Sequence, residues 1–168
     1  MTIHASSNPA SAETETVKEI TLDQLSSRPV REGAAYWLGL RGTRAYPTRD
    51  DISPRQMRGF LRNAILIRIL DDGADFEYRI VGDAHVQAYG FHIKGLKLSQ
   101  MDHLVPGHAP RLAHIYNIAR NRAAPLALRG WAMRGSEPFH HESVFLPLGP
   151  GPGTVDHILN ITDYTLPL

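Results

Sequence analysis

Apolar residues recur along this chain with two periods, and the change of period divides it. From residue 21 to 61 the spacing is helical. Thr21 can cap a short helix that buries Leu22 and Leu25. Ala34, Trp37, Leu38 and Arg41 recur at helical spacing and predict a helix over 30–40, with Gly42 as its stop. Ser53 before Pro54 opens another helix, with Met57, Phe60 and Leu61 as its stripe. Residues 63–70 (NAILIRIL) then read as a largely buried strand. Asp71-Asp72-Gly73 turns the chain, and Phe76, Tyr78 and Ile80 alternate with polar neighbours in a second strand. The middle is helical again: a short helix over 83–89, a turn at Lys94-Gly95, a helical turn within 98–104, and a longer helix over 110–122. On that last helix Leu112, Ile115, Tyr116 and Ala119 share a face. Three strands follow, at 125–133, 139–148 and 154–162, the last two separated by Gly149-Pro150-Gly151-Pro152-Gly153.

Hairpin-linked strands favour antiparallel pairing. The pattern therefore predicts an α+β fold: a five-stranded antiparallel sheet with helices on one face and an N-terminal helical extension. The expected organisation is a flexible tail over 1–20, the helical extension over 21–61, and the sheet-bearing core over 62–168. The tail is rich in Ser, Ala, Thr and Glu and has little apolar surface to offset the entropy of ordering.

Composition narrows the function classes. With 168 residues and 42% hydrophobic content, the chain has the makings of one globular domain. It has no apolar run of membrane-spanning length and no basic start leading into an apolar segment, so a cytoplasmic protein is expected. Cysteine is absent, which removes disulfides, thiol nucleophiles and Cys-held metals. The net charge of +1 does not argue for nucleic acid or membrane. Seven arginines stand between Arg41 and Arg68 against Asp50 and Asp51, but no nucleic-acid motif accompanies them, and a solvated surface is the simpler account.

No phosphate loop, serine elbow, zinc-protease motif or dinucleotide fingerprint is present. Histidine is plentiful, with nine. His140 and His141 are neighbours on a strand and point to opposite faces, and His108 and His114 are six apart on a helix, so neither pair suits one metal. No metal site is expected. A small enzyme could use Asp102 with His103, or His141 with Glu142, yet sequence neighbours rarely converge on one substrate and no nucleophile is evident. The expectation is a protein with no catalytic residues.

Several segments together resemble a PAS domain. Phe76-Glu77-Tyr78-Arg79-Ile80-Val81-Gly82, then Tyr89-Gly90 and Lys94-Gly95, is similar to the second strand and first small helix of that family. Val155 to Thr165 resembles its last strand, with Asp163-Tyr164-Thr165 in the places of the closing Asp, apolar residue and Thr. With Tyr36-Trp37, Tyr46-Pro47 and Phe145-Leu146-Pro147-Leu148, the chain looks like a bacterial subgroup of short single-domain PAS proteins, over roughly residues 35 to 165. The resemblance implies a sensor fold whose helical side can enclose a small cavity, with signals leaving through the sheet face and flanking helices. Only Leu166-Pro167-Leu168 follows the last motif, so no output domain is expected after it.

The resemblance also implies candidate sites. A small-molecule ligand would lie between the sheet and the helices over 83–89 and 110–122, with Tyr89, Tyr116 and Trp131 as lining. Some PAS sensors hold haem through a histidine on the long helix, a place His114 occupies here. Haem or another metabolite bound through His114 is thus the alternative, against a plain, partly exposed histidine. Flavin chemistry that needs a cysteine is excluded. Transmission would go to another signalling protein or through a homodimer. Tyr36, Trp37 and Leu40, on a helix too short to stand alone in water, are candidate interface residues, or equally intrachain cover for the outer face of the sheet.

Overall fold

A computed structural model describes residues 2–4, 16–134 and 137–166. Helix α1 (Arg28–Arg41) comes first among the longer elements, then strands β3 (Ala64–Leu70) and β4 (Asp75–Val81). Helices α2 (Asp83–Tyr89), α3 (Leu98–Met101) and α4 (His108–Arg122) follow, and β5 (Leu126–Arg134), β6 (Glu137–Leu148) and β7 (His157–Leu166) complete the series. Two short strands precede them all, β1 (Thr2–His4) and β2 (Thr16–Ile20).

The sheet is antiparallel throughout, in the order β1-β2-β5-β6-β7-β3-β4. The five expected strands form its continuous β5-to-β4 part. The sheet has seven strands rather than five because the N-terminal segment adds β2 to the free edge of β5, and β1 to β2. Thr16–Ile20 is therefore paired strand where a flexible tail was expected: Val17 is buried, and Thr16 to Ile20 run in register with Trp131 to Ala127. Backbone pairing with an open edge supplies what the side chains of this polar segment do not. The extended segment over 54–63 also differs from the expected regular helix. It is a series of 3-10 turns, which still bury Met57 and Phe60.

Alternation along the strands builds two cores. Ile65, Ile67, Leu126, Leu128, Phe145 and Ile158 face α2, α3 and α4. Ala64, Leu66, Ala127, Val144, Leu146, Leu159 and Ile161 face the other way, toward α1 and the turns after it. The continuous apolar run in β3 is the sequence signature of a strand covered on both sides. Helices thus lie on both faces of the sheet.

The second cover corrects the interface expectation. Trp37 has no exposed surface, and its indole N–H donates to Pro147 O at 2.8 Å. Tyr36 is half-buried, stacks obliquely on Phe60 and accepts from Ser53 N–H at 3.0 Å. Leu40 is half-buried and packs on the same core. Gly33 lets the helix approach closely, since a Cβ there would lie 2.5 Å from Ile161 Cγ1. The Trp37 side chain is spent within the chain and cannot anchor a partner.

Candidate functional site

Helix α1 is fastened to the sheet by two neighbouring carboxylates. Glu142 on β6 and Asp163 on β7 are register partners. Glu142 is fully buried and accepts from Ser26 N–H at 2.9 Å, Ser27 N–H at 2.8 Å and Ser26 Oγ–H at 3.0 Å, with Arg129 Nη2–H at 2.7 Å. Ser27 caps α1 and donates its hydroxyl to Asp163 at 2.8 Å. Burial alone would raise the Glu142 carboxyl. The donors from Ser27, Arg129 and Ser26 outweigh it and hold the group below the ordinary carboxylate range.

On the opposite face of the same strands lies a cavity of about 330 Å³. Strand β6 contributes Phe139, His141, Ser143 and Phe145, every second residue. Strand β7 contributes Asn160, Thr162 and Tyr164 in the same way. Helix α4 lays His108, Arg111, Leu112, Ile115 and Tyr116 over them, and α2 adds Ala88 and Tyr89. Ile65, Leu128 and Val17 complete the apolar wall.

The sheet side of the cavity carries a directed hydrogen-bond chain. Asn160 Nδ2–H donates to Val144 O at 3.1 Å, and Thr162 Oγ1–H donates to Asn160 Oδ1 at 3.1 Å. The Ser143 hydroxyl, 2.8 Å from Thr162 Oγ1, is then the donor of that pair. The helix side is a cluster of Tyr89, His108 and Arg111. Tyr89 Oη lies 2.6 Å from His108 Nε2, and Arg111 Nη2 lies 3.4 Å from His108 Nδ1. Burial pushes the His108 and His141 imidazoles down to about 4, so both are neutral near pH 7, and burial lowers the Arg111 guanidinium from its usual value. It also raises the hydroxyls of Tyr89 and Tyr116, which stay protonated, and Tyr116 meets the hydroxyl of Tyr78 at 3.2 Å.

Of the expected ligand residues, Tyr89 and Tyr116 line this cavity. Trp131 does not. It shares the parity of Ala127 and Arg129 on β5, and so points to the α1 face while Leu128 faces the cavity. His114 does not either: its side chain is exposed, half a helical turn from the lining stripe. The proposed haem ligand is therefore outside the cavity. His141 and Glu142, read as a potential catalytic pair, stand on opposite faces of β6, and no Asp or Glu is among the cavity-lining residues. Among the described residues no group of three His, Asp or Glu could hold a metal ion, and no helix is long and apolar enough to cross a membrane.

Sequence reasoning missed His108, Arg111 and His141 as lining. The signal was present. The stripe Leu112, Ile115, Tyr116, Ala119 extends one turn back to His108 and Arg111 at i−4 and i−1 from Leu112. On β6, alternation from Phe145 back through Ser143 reaches His141 and Phe139.

The face-to-face arrangement of an antiparallel sheet, short helices α2 and α3, a longer α4 and a cavity between them agrees with the family comparison. A family model for the PAS domain matches residues 25–162, which begins before α1 and ends midway along β7. No curated protein and no solved structure gives a significant match. The match covers most of the sequence, from Leu25 through the α1 cap to the last cavity-lining strand, and the chain belongs to the PAS domain family.

Proposed function

We propose that this chain is a cytoplasmic sensor of bacterial signal transduction, with no chemistry of its own, that binds a small molecule between the sheet and α4 and reports it to a protein partner or a second copy of itself. PAS domains are sensory or interaction modules in general. The single observation that carries the ligand-binding reading is the cavity: its volume of about 330 Å³ and its lining of mostly apolar walls around a few convergent polar groups are those of a small-molecule site. The exit for the signal is β6, whose odd residues line the cavity and whose Glu142 holds the N-terminus of α1. The test is native mass spectrometry with an absorption spectrum of freshly purified protein, followed by a thermal-shift screen against metabolites. A retained small molecule, or a ligand that raises the melting temperature and loses its effect in Ser143→Phe, is the expected outcome. A bare mass with no stabilising compound in a broad screen overturns the ligand-binding reading and leaves an interaction module.

A further inference from the structure

The hydrogens on the sheet wall of the cavity run in a single direction, and that direction leaves an acceptor at its start. Val144 O can only accept, so it takes Asn160 Nδ2–H and fixes which way the Asn160 amide faces. The Asn160 oxygen is thereby presented to Thr162, whose hydroxyl hydrogen goes to it. Thr162 has no second hydrogen, so at the 2.8 Å contact of the two hydroxyls the donor is Ser143. Ser143 spends its own hydrogen along the sheet and keeps the lone pairs of Oγ. Thr162 is its one side-chain partner among the described residues, and Ser143 lines the cavity.

The tyrosine hydroxyls on the helix side are engaged within the protein. Tyr89 Oη lies 2.6 Å from His108 Nε2, and Tyr116 Oη lies 3.2 Å from Tyr78 Oη. Rings make up much of the remaining lining: Tyr89 from α2, Tyr116 from α4, and Phe139 and Phe145 from β6. Tyr116 and Phe145 meet at a tilt, with centroids 5.9 Å apart. A flat ring among them finds both ring faces and ring edges. No Asp or Glu is among the described lining residues, so a cationic donor would give up its hydration for no opposite charge there.

We propose that the cavity takes a neutral aromatic compound bearing an O–H or a ring N–H, and that this hydrogen is donated to Ser143 Oγ while the ring packs among Tyr89, Tyr116, Phe139 and Phe145. This rests on the reading of the cavity as a ligand site. A polar hydrogen buried without an acceptor costs more than its apolar isostere, and an oxygen that has already spent its own hydrogen supplies that acceptor. The same oxygen turns away compounds that can only accept, since two acceptors would face each other in an apolar enclosure. The volume of about 330 Å³ sets the size, a single ring or a fused pair rather than a larger polycycle.

The test is calorimetric titration of the full chain with two matched pairs. Indole and benzofuran differ by a ring N–H against a ring oxygen, and 4-methylphenol and para-xylene by a hydroxyl against a methyl. In the wild type, indole binds about 10-fold more tightly than benzofuran, and 4-methylphenol at least as tightly as para-xylene despite its costlier dehydration. Ser143→Ala lowers the preference for the donor in each pair by about 10-fold, and Ser143→Thr, which keeps Oγ, retains it. Thr162→Val returns the Ser143 hydrogen to the cavity, so benzofuran gains on indole. Should Ser143→Ala fail to fold, the wild-type ratios and Thr162→Val decide. Benzofuran binding as tightly as indole to the wild type, or ratios left unchanged by Ser143→Ala, overturns the donor assignment and leaves the ligand reading standing. If none of the four binds, the molecule retained on purification decides: a neutral aromatic with an O–H or N–H supports the proposal, and any other compound overturns it. Absence of both binding and any retained compound overturns the ligand reading as well.

Discussion

His85 shows how single side chains tie the stability of this domain to pH. It is fully buried, with Nε2 2.7 Å from Asn63 O and Nδ1 2.9 Å from Tyr164 Oη. A carbonyl can only accept, so Nε2 bears the proton and Nδ1 accepts from the tyrosine. The neutral ring is satisfied at both ends, and a second proton has no acceptor to meet. Burial accordingly pushes the imidazole down to about 4, as it does for His108 and His141. In the unfolded chain these histidines titrate near ~6.5. Between the two values the unfolded state binds more protons, so stability rises with pH across that window. The contribution is complete above about 6.5 and is lost as the pH falls toward about 4. For His85 the loss is on the order of 3 kcal/mol by pH 4. Urea unfolding at pH 7 and at pH 4.5 measures it. His85→Gln, which keeps one donor and one acceptor, should make the profile shallower without abolishing the slope, since His108 and His141 still titrate in it, while costing about 1 kcal/mol at pH 7. A wild-type curve with no slope between those pH values contradicts the burial argument.

The elements divide by how far their own residues determine them. Helices α1, α2 and α4 and strands β3 to β7 were legible because each carries its period, its cap or its stop within a dozen residues. Gly42 and Gly90 take positive φ where the helices end, and Asp71 and Asp72 do so in the hairpin. Strand β2 was not legible: Thr16–Ile20 becomes strand only because β5, more than a hundred residues later, offers an edge. The destination of Trp37 was hidden for a similar reason. A helix face states that it must be covered but not by which surface, and the partner is the far side of the sheet. At the site, Tyr89 and Tyr116 follow from helix periodicity, whereas choosing His114 over His108 mistook membership of a helix for membership of its buried stripe. The docking of α1 depends on one group more than any other, the Glu142 carboxylate with its three serine donors and Arg129. Glu142→Ala should destabilise the fold by about 3 kcal/mol, since it strands several buried donors. That corresponds to a melting temperature lower by roughly 10 °C. Amide exchange should rise first at Ser27 to Arg31. A variant that melts with wild type and protects those amides equally would show that the cap is held without Glu142.

At the scale of the whole molecule, the sheet is a shared wall with a core on each side. The turns and helix over residues 21–61 cover Leu66, Val144, Leu146, Leu159 and Ile161, so they belong to the same packed body as the strands beyond them. A fragment of residues 62–168 would expose that apolar face to water, well beyond what isolated surface residues present. It should be insoluble or associate at micromolar concentration, while the full chain unfolds in one cooperative transition. Size-exclusion chromatography with light scattering distinguishes the outcomes, and a monomeric, cooperatively folding fragment would show the helical segment to be an appendage. The two-sidedness of β6 has a genetic consequence. Phe139, His141, Ser143 and Phe145 touch the cavity, while Glu142, Val144 and Leu146 touch α1 or the core around it. Lesions at alternate codons of one strand should therefore fall into two phenotypic classes: odd positions alter which compound is perceived, and even positions leave perception intact but make the response constitutive or silent.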